Sequence, residues 1–534
     1  MKSDDPRTTE VNMYLGKIEL TALENGVVKS GTNREVFSID GVQFLLYAKR
    51  TPARTPRWAE LFEGRVDPKI FGKNSASSAV LAVQIGARCA YLTFGRGRHM
   101  LANEKMESNF GLRVALNAID ADSLRSLDRT SFETQSHQSR EQASKATEFR
   151  HFGIDTEKSL LKSITGHSKD ADPPVRLYGM DALKLSAKVN LDGIYELLEK
   201  YVEYFEKDDY KNGPFAWVDK ISPIKDKSLS GILDDLLLKK VNTDDLDSIW
   251  MALPEIISWA TAYGFRYSMG TRAPIFPDVD IPKFKSFCKS GSISLRTLQT
   301  RKIYCVDGDG AQILSKPAYS WIYAELEHEG SNYLLTGGAW YQLDQDYVSE
   351  INAFYNDIER WGGVLPEYDD DCEGDYNKRV CDEQPQDYCL IDKALVYLTG
   401  ASSGIEPCDI YTASREFIHV KRYGGSSVLS HCFNQGLVSG ESFQSSQEFR
   451  EKFAESLPDE LSLEQVELRP ATDEYTVVYA IVSKYEEPLT IPFFSRVSLK
   501  HAVKALQMMG YRVQIAKIET SEYRKALQRF PAVA

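Results

Sequence analysis

The chain of 534 residues has no apolar run approaching eighteen residues, so nothing in it reads as a membrane-spanning helix. Its first twenty residues lack an apolar stretch, and no secretory signal is expected. Eight cysteines are scattered and none forms a CxxC pair, which disfavours a structural zinc site. Reduced thiols and a cytoplasmic location are the expectation. There is no internal repeat and no low-complexity tract, which excludes solenoid architectures. The net charge of −13 disfavours indiscriminate binding to polyanions, although clustered basic residues can still serve a nucleic-acid site.

What is present is the composition of a folded protein: 42% hydrophobic and 26% charged residues, with 28 Tyr and 24 Phe. The length calls for more than one core. The expected fold class is α+β and multidomain. Residues 1–170 read as a mixed α/β domain with a candidate recognition role, and "REVFSIDGVQFLLYAKR" alternates around a turn as a hairpin does. The polar stretch from Ser131 to Pro174 reads as an insertion, a loop or a linker. Residues 171–295 read as mainly helical. Ile194, Leu197, Leu198, Tyr201, Val202 and Phe205 make one helical stripe, and "DLDSIWMALPEIISWATAYGF" continues the theme up to the limit set by Pro254. Residues 296–534 read as a C-terminal α/β domain.

Two basic segments stand out. One carries Arg50, Arg54 and Arg57 beside Trp58 and Phe62; the other, "FGRGRHM", carries Arg96 and Arg98. Together they make a candidate patch for a nucleic-acid backbone with stacking platforms, and the plainer reading is a basic surface loop.

The residues that carry chemistry lie near the C-terminal third. A short run ends at Asp409, and a β-type run, "EFIHVKR", places His419 and Lys421 two residues apart, on one side of a strand. An acidic helix before them contains Glu373, and a helix after them contains Gln435. A carboxylate beside an imidazole can hold a divalent cation, and a lysine can stabilise a developing oxyanion. Asp392 and Glu406 are rival acids in the same region and read as structural.

This order of helix, three strands, helix and strand, at about residues 365 to 490, resembles the core of the PD-(D/E)XK nucleases, the restriction-endonuclease-like fold. The resemblance implies that Asp409 is a metal-binding acid, His419-Val420-Lys421 the catalytic triplet, Glu373 the helix acid and Gln435 the helix polar residue. It implies a divalent metal (Mg²⁺ or Mn²⁺) held by Asp409, His419 and Glu373, a nucleic-acid substrate and phosphodiester hydrolysis. His419 stands where an acid is usual, which favours Mn²⁺. The phrases "LTFGRGRHML", "NFGLRVALNAID", "CDIY", "HVKR" and "LSHCFNQG" resemble a sporadically distributed bacterial family of uncharacterised proteins, of the kind found in defence and mobile-element islands. His419-x-Lys421 also resembles the motif of phospholipase-D-like phosphodiesterases, with Ser426 where their Asp stands. A non-catalytic scaffold with a decayed nuclease fold, acting through a protein partner or a homo-oligomer, is the alternative from another class.

Overall fold

The computed structural model describes residues 8–17, 26–55, 59, 62, 65–102, 105–132, 136–152, 154–170, 175–188, 191–224, 226–270, 273–288, 292–399, 404–424, 426–463 and 465–520. The chain is mixed α/β and forms two compact units, Met1–Thr130 with Ser139–Val218, and Ser131–Gln138 with Asp219–Ala534. No helix among the described residues is long and apolar enough to cross a membrane.

A ten-stranded sheet dominates the first unit. Its central strands, Ser77–Ile85, Arg88–Gly95 and Thr8–Leu15, carry β-branched and aromatic residues, and Val80, Leu81, Val83, Tyr91, Leu92, Val11, Met13 and Leu15 on them are buried. The hairpin read from the sequence is Asn33–Ile39 with Val42–Arg50; Asp40 and Gly41 both take positive φ at its two-residue turn. Helices Phe110–Ala118 and Ile194–Glu206 share one core with the sheet, and the Phe110 and Phe205 rings lie 5.3 Å apart. The polar stretch after Ser131 is not a loop. It holds Ser136–Thr147, an edge strand, and Ser159–Ser168. An edge strand tolerates polar and charged residues that an apolar-pattern reading takes for a loop.

The region 171–295, expected to be mainly helical, differs. Among its described residues, helices Ile194–Glu206, Lys227–Asn242 and Ile281–Cys288 alternate with five short strands. "DLDSIWMALPEIISWATAYGF" is not a helix: Ile249–Met251 pairs with Ile322–Ala324, and Trp250 stacks on Tyr323 at 4.0 Å. Cross-strand pairing overrides a periodicity that short apolar runs leave ambiguous.

The C-terminal part of the second unit positions the site. Its elements are α1 (Glu373–Glu383), β1 (Tyr388–Leu390), β2 (Ile410–Thr412), β3 (Glu416–Arg422), α2 (Ser426–Ser445), α3 (Gln447–Ala454), β4 (Thr476–Ser483), α4 (Phe493–Met508) and β5 (Arg512–Glu519). The sheet order is β1-β2-β3-β4-β5; β1, β2 and β3 meander antiparallel, and β3, β4 and β5 run parallel. Strand alternation makes two cores. Phe417, Val477, Tyr479 and Ile481 pack with Phe433 of α2 and Leu499 of α4, while Ile418, Val420, Val478 and Ala480 pack with Tyr376 and Val380 of α1. With helices on both faces, all eight residues of β4 are buried, which explains its unbroken apolar run.

Candidate functional site

The site begins where β2 and β3 part. The Asp409 N–H still donates to Ile418 O at 3.0 Å, but the Asp409 carbonyl turns away to accept the N–H groups of Ile391 and Asp392 at 2.9 and 3.0 Å. The ladder position on β3 is taken by the side chain instead: Asp409 Oδ2 accepts the Val420 N–H at 2.7 Å. The carboxylate is thus locked at the splay. Burial pushes its pKa up to about 8, against the lowering effect of the Val420 N–H, and the charges of Glu406, Asp392 and Glu373 push the same way as burial.

The connection from β1 to β2 brings two more acids to it. Val396 and Ile405 form an antiparallel bridge that folds this segment back on itself. Lys393 adopts φ +64°, a conformation costly for a residue with a Cβ, and its N–H donates to Glu406 Oε1 at 2.6 Å. Gly374 in the first turn of α1 leaves room for this turn. A Cβ there would come within 2.8 Å of Asp392 Oδ2 and 3.0 Å of Lys393 Nζ. As a result Asp392, Glu406 and Asp409 each offer a carboxylate oxygen, and the three atoms lie within 4.8 Å of one another. Gln435 of α2 reaches the rim of this group, with Nε2 3.5 Å from Glu406 Oε2.

Lys421 and Glu373 form a pair beside it. Lys421 Nζ lies 2.7 Å from Glu373 Oε2, and Glu373 Oε1 accepts the Arg422 N–H at 2.9 Å. Burial lowers the ammonium's pKa, but Glu373 more than offsets this and the net shift is upward. His419 and Glu373 are not members of the three-acid group. The His419 ring is 4% exposed, lies 5.9 Å from the Tyr479 ring, and its Nε2 has no hydrogen-bond partner among the described residues. Burial holds its pKa down to about 4, so it is neutral at physiological pH. The unfolded-state value is near 6.5, so stability present above pH 6.5 is lost as the pH falls toward 4. Relative to wild type, a His419→Leu variant is expected to be more stable at pH 5 than at pH 7 by about 2 kcal/mol, nearly all of it arising below pH 6.5, in thermal melts.

Sequence reasoning gave Asp392 and Glu406 no functional role and overlooked Asn377. The spacing of Glu406 three residues before Asp409, across Pro407, was the available signal. Asn377, one turn after Glu373 on α1, is wholly buried; its Nδ2 lies 3.4 Å from Asp409 Oδ1 and its Oδ1 has no partner among the described residues. Asn377 is thus placed to orient the Asp409 carboxylate from α1.

A family model described as a family of unknown function, DUF6119, matches residues 11–519. The chain belongs to that family. No curated protein and no solved structure matches it.

In this DUF6119 protein the two basic segments lie at one end of the large sheet of the first unit. Arg50 pairs with Ser77, and Ser78 with Gly95, so the two segments leave from strands flanking Ser77–Ile85, about 10 Å apart. Arg50, Arg54 and Arg96 are exposed, and Arg54 is tied through its backbone to Asn74. Arg98 lies over the Tyr14 ring at 4.7 Å. Arg57 and Trp58 lie outside the described residues.

Proposed function

We propose that this DUF6119 protein is a metal-dependent nuclease whose active site is built on Asp409, with Asp392, Glu406, Lys421 and Glu373 around it. The observation that carries the reading is the convergence of three carboxylates at the β2/β3 splay, beside a lysine on the adjoining strand. The helix–strand–strand–strand–helix–strand order and the antiparallel-then-parallel sheet support the restriction-endonuclease-like reading of this core.

The residues present fit a divalent cation. Three carboxylate oxygens are a hard donor set suited to Mg²⁺ or Mn²⁺. The raised Asp409 pKa marks a place where negative charge lacks compensation. Asp392, Glu406 and Asp409 would hold the ion, and His419, offered by its spacing as a ligand, is replaced in this reading by Asp392 and Glu406. Such an ion supplies Lewis acidity and a water of lowered pKa when bound. Glu373 fixes the Lys421 ammonium at the edge of the acids, where it can hold a phosphoryl oxygen and oppose the repulsion between a phosphodiester and the carboxylates. Gln435 can orient a water or a phosphate oxygen beside Glu406. A phospholipase-D-like reaction needs an accessible histidine nucleophile, and a ring 4% exposed is poorly placed for that.

The test is incubation of the purified full chain with single- and double-stranded DNA and RNA in Mn²⁺, in Mg²⁺ and in EDTA. Cleavage that EDTA abolishes supports the reading. EDTA-resistant cleavage lost on His419→Ala would favour the phosphodiesterase instead, and absence of cleavage together with a tight protein partner would favour a scaffold.

A further inference from the structure

The ribbon that carries Glu406 also carries an aromatic ring that is more than half exposed on its outer side. Val396 and Ile405 form the bridged pair, and Val396 is buried in the core, so Leu395, Tyr397 and Glu406 project to the opposite face. On that face Leu395 is 46% and Tyr397 55% exposed. The ring is nevertheless held. A Cβ at Gly404 would come within 3.0 Å of Tyr397 Cζ and 2.8 Å of Leu395 Cβ, so the side chains of Leu395 and Tyr397 cover the bare backbone of Gly404. The stem below is clamped to α3. Lys452 Nζ donates to Tyr397 O at 2.5 Å, and the Glu448 carboxylate accepts from the Thr399 N–H at 3.1 Å and the Thr399 hydroxyl at 2.8 Å. Glu448 is itself paired with Lys452 at 2.8 Å.

We infer that Tyr397 is a stacking platform for an unpaired base next to the scissile phosphate, which makes the substrate a single strand or an unpaired stretch of nucleic acid. This rests on the nuclease reading above. Two physical points carry it. Asp392 and Glu406 repel a polyanion and Lys421 is already engaged by Glu373, so binding gains from an attractive contact nearby, and an aromatic face supplies one regardless of base identity. In a duplex the faces of the bases are covered by their neighbours, and only an unstacked base can offer its face to a fixed ring. Lys393, on the same segment, lies with its Nζ 3.7 Å from Asp392 Oδ2 and its side chain 81% exposed, so it can also meet the flanking phosphate.

The experiment uses full-length Asp409→Asn protein and short oligonucleotides of DNA and of RNA with a central 2-aminopurine, each as a single strand and as a blunt duplex. Quenching of the 2-aminopurine on binding the single strand reports stacking. It should fall in Tyr397→Leu, which still covers Gly404, and persist in Tyr397→Phe. In the otherwise wild-type enzyme Tyr397→Leu should raise KM about 10-fold or more, with the loss in KM rather than kcat. The DNA and RNA arms show which sugar is accepted. Unchanged quenching and KM in Tyr397→Leu, while the wild type cleaves, overturns the platform and leaves the nuclease standing. Equal affinity for the blunt duplex also overturns it. Failure of the wild type to bind or cleave any of these probes overturns both.

Discussion

Asp409→Asn is expected to reduce Mn²⁺-dependent cleavage by at least about 100-fold, with the fold intact. The amide keeps an oxygen that can accept the Val420 N–H, so the splay of β2 from β3 stays sealed. What is lost is the anionic oxygen that faces Asp392 and Glu406. Lys421→Ala should give a loss of similar size, because it removes the one positive charge placed among these acids by β3 and leaves Glu373 without its partner. Glu373→Gln should cost less, since the Arg422 N–H still has an acceptor in the amide oxygen. Single-turnover cleavage of a labelled strand, alongside thermal melts of each variant, is the measurement. Wild-type rates in Asp409→Asn would end the assignment.

The second expected result concerns pH. Asp409 is pushed up to about 8 in the folded protein, and an unfolded aspartate titrates near 3.9. Between these values the native state holds a proton that the unfolded chain has released, so stability falls as pH rises and is lowest once pH passes 8. From pH 7 to 8, where His419 is mainly neutral in both states, metal-free protein should lose on the order of 1 kcal/mol from this group. Asp409→Asn should flatten that slope. Mn²⁺ should abolish it, because a bound cation keeps the carboxylate ionised in the folded state as it is in the unfolded chain, and binding below pH 8 should release close to one proton per ion. Chemical denaturation across this window, with and without Mn²⁺, tests all three statements. Identical slopes in wild type and variant would show that Asp409 is ionised in the apo fold.

Much of the core was legible because its local signals agree with its tertiary setting. The strands Glu416–Arg422 and Thr476–Ser483 announce themselves by β-branched and aromatic runs, and the helix Phe493–Met508 with its following strand by a change of period. Asp409 and Lys421 were nameable from their places at strand ends. Where several partners compete for one segment, the pattern failed. Ile249–Met251 reads as part of a helix until Ile322–Ala324 is there to pair with it. Polar Ser136–Thr147 reads as a loop until it is seen at the sheet edge.

By itself, the sequence determined the local preferences of the C-terminal core: that Glu416–Arg422 and Thr476–Ser483 are strands, which acid and which lysine sit near strand ends, and the absence of any long apolar run. Only the tertiary structure decided which of those groups meet. Asp392 and Glu406, fourteen residues apart, converge because one backbone bridge, one left-handed lysine and one glycine on a facing helix fold their connection back on Asp409. His419 shares a strand face with Lys421, yet its ring lies against Tyr479 while the longer lysine side chain reaches Glu373 at the first turn of α1. Spacing along a chain sets direction, but the length of a side chain and the packing of its neighbours set where its charged end arrives.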